Sequence, residues 1–282
     1  MTGAVGTTPD PAEVVACCSS LYGHPLAELI MGESFHPGGI AGTRELLRAS
    51  GLTPGQRILD AGCGLGASAR LAADEFGLTV DAVDISADVV GRASARGATT
   101  RIRWRTADLL DLPFEAATYD AVLAECVLST TDRGAVIGEL RRVLRPGGIL
   151  LVSDVQADGP AVPALAAHPI LGAALCVTDA WGKDELASRI SDAGLQLEGW
   201  WDRSVAILDL IDRAEARVGL ATVAARDLGI SLASLGGLTG FPAVLGLTGD
   251  DARRMADEVR DAVQSGELGY FAALVRRPIE PG

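Results

Sequence analysis

The chain has 282 residues, a net charge of −13 and five cysteines. This length suits one large α/β domain with additions, and the acidic balance disfavours non-specific binding to nucleic acid or to an anionic membrane. Sparse cysteines argue against a secreted disulfide scaffold, and the start of the chain has neither the basic cluster nor the apolar core of a signal peptide. We therefore expect a cytoplasmic protein with a small-molecule substrate and no membrane segment.

The first 50 residues come before the repeating pattern of the core and are interpreted as a helical lid. Helices are predicted at residues 12–21, 25–31 and 43–49. A loop is expected at residues 34–39, because the residue before Pro37 leaves α-helical space and two glycines follow. His36 lies in this loop, where it is either a closing contact over a ligand or a local hydrogen-bonding residue.

From residue 57 onward, predicted strands alternate with predicted helices, which is typical of a parallel sheet covered by helices on both faces. The strands are expected at residues 57–61, 79–84, 101–105, 119–124 and 149–154. The helices between them are expected at residues 67–76, 86–96 and 132–144. Ser86 has a side chain that caps a helix N-terminus, and Pro146 followed by Gly147 suits a turn before the fifth strand.

Beyond residue 158 the pattern changes to loop and short helix, followed by a helix at residues 183–193 and a strand at residues 195–202. Two helices are predicted at residues 204–228 and 248–265, separated by a glycine-rich segment, and a last strand is predicted at residues 269–275. The chain is therefore divided into a lid (1–50), a core (51–202), a helical insertion (203–268) and a final strand with a tail that return to the core (269–282).

Three alternating glycines, Gly62, Gly64 and Gly66, follow Asp60 at the end of the first predicted strand. Glycine tolerates positive φ and lets the backbone approach a ligand closely, and the first amides of a helix point outward unpaired. This turn predicts a nucleotide-like ligand held against bare backbone. Asp84 ends the second strand, where an acid can accept hydrogen bonds from ribose hydroxyls. The glycines alone also fit a dinucleotide fingerprint, so a nicotinamide-dependent dehydrogenase is an alternative.

Five segments, taken in order, resemble the class I S-adenosylmethionine-dependent methyltransferases: residues 58–66, 83–86, 107–108, 119–122 and 144–148. The resemblance implies a Rossmann-like, seven-stranded, mostly parallel sheet with helices on both faces and an antiparallel last strand. It also implies S-adenosylmethionine as the cofactor. The residues assigned to the cofactor site are Asp60, Gly62, Gly64, Gly66, Asp84, Ile85, Asp108, Leu109 and Glu125.

Within that assignment, the resemblance implies Asp84 on the ribose, Ile85 against the adenine, and Asp108 with Leu109 at the adenine edge. The side chain of Asp108 could equally cap a turn. Strands six and seven of such a sheet are usually joined by a short turn. Here the insertion at residues 203–268 intervenes, which suggests a helical lid, a contact between copies of the chain, or both.

The methyl group of S-adenosylmethionine is electrophilic, so a nucleophile must be brought into line with it. Oxygen and nitrogen nucleophiles often need a base, but none of the three histidines stands in a recognisable base constellation. The cysteines are better placed. Cys126 follows the fourth strand, Cys176 lies where these folds build the substrate pocket, and Cys17 and Cys18 lie in the lid. Cys63, inside the glycine turn, is interpreted as a small packing residue.

A narrower resemblance concerns the acceptor side. Residues 124–128, 141–148 and 153–155, and Cys176 with the residues that follow it, are similar to the arsenite methyltransferases. This resemblance implies that Cys126 and Cys176 hold trivalent arsenic as thiolates, with Cys17 or Cys18 as a third thiolate. Soft thiolates select soft centres, and thiolate-bound arsenic keeps a lone pair that can attack the methyl group without a general base.

Two further functions stay open at this point. The chain could methylate an oxygen, nitrogen or carbon atom of a small metabolite, with the cysteines as packing residues. Alternatively, the same thiols could sequester or sense a soft ion without catalysis, with the cofactor in a structural role.

Overall fold

The computed structural model of the chain describes residues 28, 31–32, 34–97, 99–157, 162, 165, 172, 175–177, 180–227 and 248–279. The helix predicted at residues 12–21, with Cys17 and Cys18, lies outside these residues, as does the glycine-rich segment at residues 229–246. Within the described ranges, no helix combines the length and the apolar character needed to cross a lipid bilayer.

Seven strands form a single sheet. They are β1 (Arg57–Ala61), β2 (Thr79–Asp84), β3 (Ile102–Thr106), β4 (Tyr119–Glu125), β5 (Leu144–Ala157), β6 (Gln196–Asp202) and β7 (Leu268–Arg276). Their order in the sheet is β3-β2-β1-β4-β5-β7-β6. Strands β1 to β5 pair in parallel, whereas β7 lies between β5 and β6 and runs antiparallel to both. The predicted mostly parallel sheet with an antiparallel last strand is confirmed.

The helices whose bounds the structure gives are α1 (Gly39–Ser50), α2 (Ala67–Asp74), α3 (Ala87–Ala95), α4 (Arg133–Val143), α5 (Lys183–Asp192), α6 (Val205–Asp227) and α7 (Gly249–Ser265). The predicted cap of α3 is confirmed, because the Ser86 hydroxyl accepts a hydrogen bond from the amide of Val89 at 3.4 Å. In chain order, helices α6 and α7 come between β6 and β7. Arg260 of α7 pairs with Asp212 and Glu215 of α6.

The central strands are apolar on both faces, which is why helices cover the sheet on two sides. Successive residues of a strand point to opposite faces, so Leu59 of β1 belongs to one core cluster and Ile58 to the other. Helix α4 contributes Leu140 to the first cluster, and α2 contributes Ala72 to the second. A third cluster, which includes Met255 of α7, lies where β5 and β7 extend beyond the rest of the sheet.

Two boundaries differ from the sequence prediction by four residues or more. Helix α1 begins at Gly39 rather than at residue 43, because the left-handed Gly38 (φ 82°) starts the helix early and the added turn packs against the core. Strand β5 begins at Leu144 rather than at residue 149, because Leu144 pairs with Tyr119 of β4. The predicted turn is absorbed into the strand, where Gly147 takes a positive φ of 79°.

The parallel strands place their carboxyl ends at one edge of the sheet. In open α/β sheets, ligands bind at this edge, close to the point where the strand order reverses. Here the order reverses between β1 and β4, so the residues after these two strands face a shared cleft.

Candidate active site

The glycine turn between β1 and α2 is held by backbone hydrogen bonds to β2. The amides of Gly62 and Cys63 both donate to the carbonyl oxygen of Val83, at 2.9 and 2.8 Å. Gly62, Gly64 and Gly66 have φ angles of 74°, 51° and 76°. These angles lie in the left-handed region that side-chain-bearing residues rarely adopt, so the alternating glycines are what allows the turn to form.

The three glycines differ in what a side chain would meet. A Cβ on Gly62 would lie 2.0 Å from Cγ2 of Val127, and one on Gly66 would lie 2.2 Å from the ring of Trp104. Packing therefore requires both glycines. A Cβ on Gly64 would meet no heavy atom of the described residues within 4 Å. The backbone of Gly64 is thus open to the cleft, where a ligand could approach it.

Asp84, at the end of β2, is bonded to this turn. Its Oδ2 accepts a hydrogen bond from the amide of Gly64 at 3.0 Å, and its Oδ1 accepts one from the amide of Ser86 at 3.0 Å. Burial raises the pKa of Asp84, and the amide donors offset part of that rise. A carboxylate oxygen can accept two hydrogen bonds, so both oxygens can still accept from a ligand. The neighbouring Ile85 is 47% exposed and borders the same edge with an apolar surface.

Asp60, the last acid of β1, is a buried carboxyl beside the turn. Its Oδ2 has no hydrogen-bond partner among the described residues. Burial raises the pKa of Asp60 to about 8, and the negative charges of Glu125 and Asp84 contribute to the rise. A buried oxygen without a partner costs free energy, so a ligand that brings an N–H donor or a positive charge would be favoured here.

The segment after β3 contributes less than the other segments to the ligand-binding edge at the carboxyl ends of the strands. Oδ1 of Asp108 accepts a hydrogen bond from the amide of Leu110 at 2.9 Å, so this side chain does cap a turn. Leu109 is buried in the core cluster that contains Leu59, and its side chain therefore packs inward. The assignment of Asp108 and Leu109 to the adenine edge stays a prediction.

Glu125, at the end of β4, is held by side chains from neighbouring elements, which together we call the Glu125 cluster. The hydroxyl of Thr43 in α1 lies 3.1 and 3.0 Å from its two carboxylate oxygens. The hydroxyl of Ser68 in α2 donates to Oε2 at 2.7 Å, and that of Ser153 in β5 donates to Oε1 at 3.4 Å. Nε2 of His36 lies 3.4 Å from Oε2. The cluster connects His36 and α1, which precede β1, to α2, the helix that follows the glycine turn.

Cys126, Asp154 and Cys176 form a second group, which we call the cysteine corner. Their two sulfurs and one carboxylate oxygen all lie within 4.8 Å of one another. Both cysteines have positive φ angles, 51° and 67°, which are uncommon for residues other than glycine. The contact with Cys176 and burial raise the pKa of the Cys126 thiol. This thiol is therefore protonated at neutral pH unless a soft centre displaces the proton.

The two groups are joined by hydrogen bonds. Asp154 is fixed by Ser129, whose hydroxyl and amide donate to its two oxygens at 2.7 and 3.1 Å. Sγ of Cys126 lies 3.9 Å from the hydroxyl of Tyr270 in β7, and this hydroxyl donates to Ser153 at 2.8 Å. A continuous polar path thus runs from the cysteine corner to the Glu125 cluster.

The structure brings Cys126 and Cys176 together, whereas Cys17 and Cys18 lie outside the described residues. His36 contacts both the carbonyl oxygen of Pro37, at 3.0 Å, and the carboxylate of Glu125, which fits both interpretations given from sequence. Sequence reasoning missed the residues that hold these groups. They are Thr43, Ser68, Ser129, Ser153, Asp154 and Tyr270.

Part of the chain is similar to known proteins. Residues 58–148 match the family described as a methyltransferase domain. The methyltransferase GfsG of Streptomyces halstedii is 31% identical over 159 residues, which are 55% of this chain and 51% of GfsG. This chain spans about half the length of the curated relatives that it matches first.

Solved structures share the architecture at low sequence identity. Phosphoethanolamine N-methyltransferase 2 of Haemonchus contortus, in complex with S-adenosylmethionine, has a TM-score of 0.72 and 16% identity, and the match covers 99% of this chain and 61% of that one. The [4+2]-cyclase SpnF has a TM-score of 0.62 and 21% identity, with 85% and 81% of the two chains covered. At these identities the likeness concerns the fold alone.

Proposed function

Because residues 58–148 match a methyltransferase domain, we propose that the chain is a class I, S-adenosylmethionine-dependent enzyme that transfers a methyl group from this donor to a small molecule. The observation that carries the proposal is the glycine turn, where Gly64 leaves its backbone open while Asp84 bonds the same residue. When bound, S-adenosylmethionine supplies an electrophilic methyl group on a sulfonium. The chain's contribution is to hold a nucleophile in line with that group.

The described residues fit this donor. Asp60 has a buried oxygen with no partner among the described residues, which the donor's ammonium group would satisfy. Asp84 can accept hydrogen bonds from ribose hydroxyls, and Ile85 offers an apolar surface to the adenine. We assign the adenine edge to residues 108–109. Glu125 lies beside the turn, because Ser68 in the first turn of α2 donates a hydrogen bond to its carboxyl group.

Calorimetric titration with S-adenosylhomocysteine tests the donor site. We expect saturable binding by the natural chain and at least about a hundredfold weaker binding by Gly64→Ala, because the added Cβ would project into the open space above the turn. Gly138→Ala is the matched control, since Gly138 lies in α4 and its Cβ would also meet no described atom within 4 Å. Absence of binding by the natural chain would contradict the proposal.

Binding alone does not establish transfer, because one fold can host several reactions. One structural neighbour is itself described as a [4+2]-cyclase. A donor with a labelled methyl group should therefore be incubated with the chain and a panel of small acceptors, and the products separated. Donor binding without labelled product from any acceptor class would leave a binding protein and not a transferase.

For the acceptor, we propose a soft, thiophilic centre, with trivalent arsenic as the substrate to test first. The observation in favour is the cysteine corner, where the sulfurs of Cys126 and Cys176 lie within 4.8 Å of each other at the end of β4. Soft thiolates select soft centres, and binding would displace the proton that the Cys126 thiol otherwise keeps. Cys17 or Cys18 remains our proposed source of a third thiolate.

The chemistry closes without a general base. The lone pair of thiolate-bound arsenic forms the arsenic–carbon bond while the carbon–sulfur bond of the sulfonium breaks. Arsenic is thereby oxidised from the trivalent to the pentavalent state, and S-adenosylhomocysteine leaves. An oxygen, nitrogen or carbon acceptor would instead have to give up a proton, and Glu125 with His36 is the candidate acid–base pair for that alternative.

Speciation of arsenic after incubation with arsenite, glutathione and S-adenosylmethionine tests the acceptor. We expect methylated arsenic from the natural chain and none from Cys126→Ser or Cys176→Ser. The affinity of both variants for S-adenosylhomocysteine should stay within about twofold of the natural value, because neither thiol touches the glycine turn. Full activity in both variants would contradict the thiol assignment alone, and arsenite binding without methylated product would favour the non-enzymatic alternative.

A further inference from the structure

Glu125 lies between the glycine turn and the cysteine corner. The preceding residue, Ala124, pairs with Ala61 of β1, immediately before the turn. The following residue is Cys126 of the corner. A methyl group that moves from a donor on the turn to an acceptor at the corner would therefore pass the end of β4, beside the Glu125 carboxylate.

The carboxylate is buried but is held mainly by neutral groups. The Glu125 side chain is 7% exposed, and hydroxyls of Thr43, Ser68 and Ser153 surround it. Hydroxyl donors fix the position of a carboxylate without cancelling its charge. Within the described ranges, the ring nitrogen that contacts the carboxylate is Nε2 of His36, 3.4 Å from Oε2. The arrangement thus places a fixed negative charge at the point of transfer.

The field of this charge reaches the donor side of the cleft. The charge of Glu125 is the second cause, after burial, of the raised pKa of Asp60. Asp60 borders the turn, and Asp84 and Glu125 are the two other acids whose charges act on it. A cation beside the turn would be stabilised by them, and a neutral ligand of the same shape would not.

We propose that Glu125 is a specificity-determining counter-charge, which makes the site prefer the cationic donor over the neutral product of the transfer. This inference rests on the proposed function, because it requires S-adenosylmethionine to bind at the turn. S-adenosylmethionine carries a positive sulfonium, whereas S-adenosylhomocysteine has a neutral thioether in its place. A site that favours the sulfonium exchanges product for fresh donor after each transfer.

Three ligands of nearly the same shape test the proposal by calorimetry at pH 6.5: S-adenosylmethionine, S-adenosylhomocysteine, and sinefungin, which carries an amine in place of the sulfonium. We expect Glu125→Gln to weaken binding of the two cationic ligands about tenfold and to leave the neutral one within about twofold. The same comparison in an Asp60→Asn background keeps residue 60 neutral in both proteins. Glu139→Gln is the matched control, since Glu139 bonds Arg142 on α4 and not the cleft.

The outcomes are distinguishable. Equal weakening of all three ligands would mean that Glu125 only shapes the site, and no weakening would mean that its charge does not reach the ligand; either result overturns the proposal. The amide that Glu125→Gln introduces can bond the same rotatable hydroxyls, and circular dichroism checks that the variant is folded. Should it not fold, Glu125→Ala provides a second neutral variant with the same expected ratio. If the natural chain binds none of the ligands, the proposed function itself fails.

Discussion

The glycine turn and the cysteine corner lie at the same edge of the sheet but are built in different ways. The turn is made within a few consecutive residues, and its amides donate to backbone carbonyl oxygens and to the carboxylate of Asp84. The corner brings together the side chains of Cys126, Asp154 and Cys176 from separate segments. The conformation of the turn depends on three closely spaced glycines, whereas the corner exists only once distant segments of the sheet have come together.

This difference determines what a substitution should do in each region. In the turn, a change of one methyl group alters the allowed φ or the space for a ligand, so ligand binding and folding respond together. In the corner, removal of one polar atom leaves the backbone intact. The free energy of unfolding should therefore fall by about the contribution of one hydrogen bond. The predictions below separate the two behaviours.

The largest effect is expected at Gly62. Gly62→Ala places a Cβ 2.0 Å from Val127 and requires a side chain at a φ of 74°, so we expect the free energy of unfolding to fall by about 3 kcal/mol or more. Gly64→Ala carries the strain without the clash and should lose only about 1 kcal/mol. Denaturant unfolding of both variants measures the difference. Equal losses would mean that Val127 moves aside readily.

A smaller effect is expected where the corner meets the Glu125 cluster. Tyr270→Phe removes the hydroxyl that donates to Ser153 at 2.8 Å and keeps the buried ring. We expect a loss of about 1–2 kcal/mol in the free energy of unfolding, the usual value for a buried hydrogen bond. Affinity for S-adenosylhomocysteine should be unchanged, because Tyr270 does not contact the turn. A large loss of donor affinity would show that the two regions are coupled through Ser153.

Local patterns allowed much of the fold to be predicted. The bounds of β1 and β2 were predicted to the residue, because each strand is a short apolar run ended by turn residues. The sheet's mostly parallel order was also predicted. The start of α1 was missed, because the sequence before Thr43 has the glycines and proline of a loop and the packing that extends the helix is tertiary.

The site divides in the same way. The glycine turn has a spacing that can be read from the sequence, whereas hydroxyl residues such as Thr43, Ser68 and Tyr270 have no spacing that marks them. They come from α1, α2 and β7, and only the fully assembled sheet with its helices brings them near Glu125 and Cys126. Sequence reasoning named the two cysteines from their places after strands, but could not supply Asp154 as their neighbour.

The pH dependence of stability isolates Asp60. Its pKa is about 8 in the folded chain, against an ordinary value of 3.8. Between these values the folded chain keeps a proton that the unfolded chain releases, so the stability that Asp60 contributes falls as pH rises from about 4 to about 8. Asp60→Asn lacks this term. The free energy of unfolding of Asp60→Asn, minus that of the natural chain, should be at least about 1 kcal/mol more positive at pH 8 than at pH 5.

Urea unfolding of both proteins at the two pH values measures this difference, and subtraction removes the titration of all other groups that the two proteins share. A difference that does not change with pH would mean that Asp60 is ionised in the folded chain. Asp60 would then itself carry a negative charge beside the turn.

The smallest effect is expected at an exposed contact between α1 and α2, the same two helices that the Glu125 cluster joins. Arg44 donates two hydrogen bonds to Glu75, at 2.8 and 2.7 Å, on the solvent side of these helices. Exposed ion pairs are screened by water and contribute little. We expect Glu75→Gln to change the melting temperature by no more than about 2 °C and donor affinity not at all. Thr43→Val, which removes the buried hydroxyl at Glu125, should lower both. If Glu75→Gln had the larger effect, the exposed Arg44–Glu75 pair, and not the buried carboxylate of Glu125, would be the contact that fixes α1 against α2.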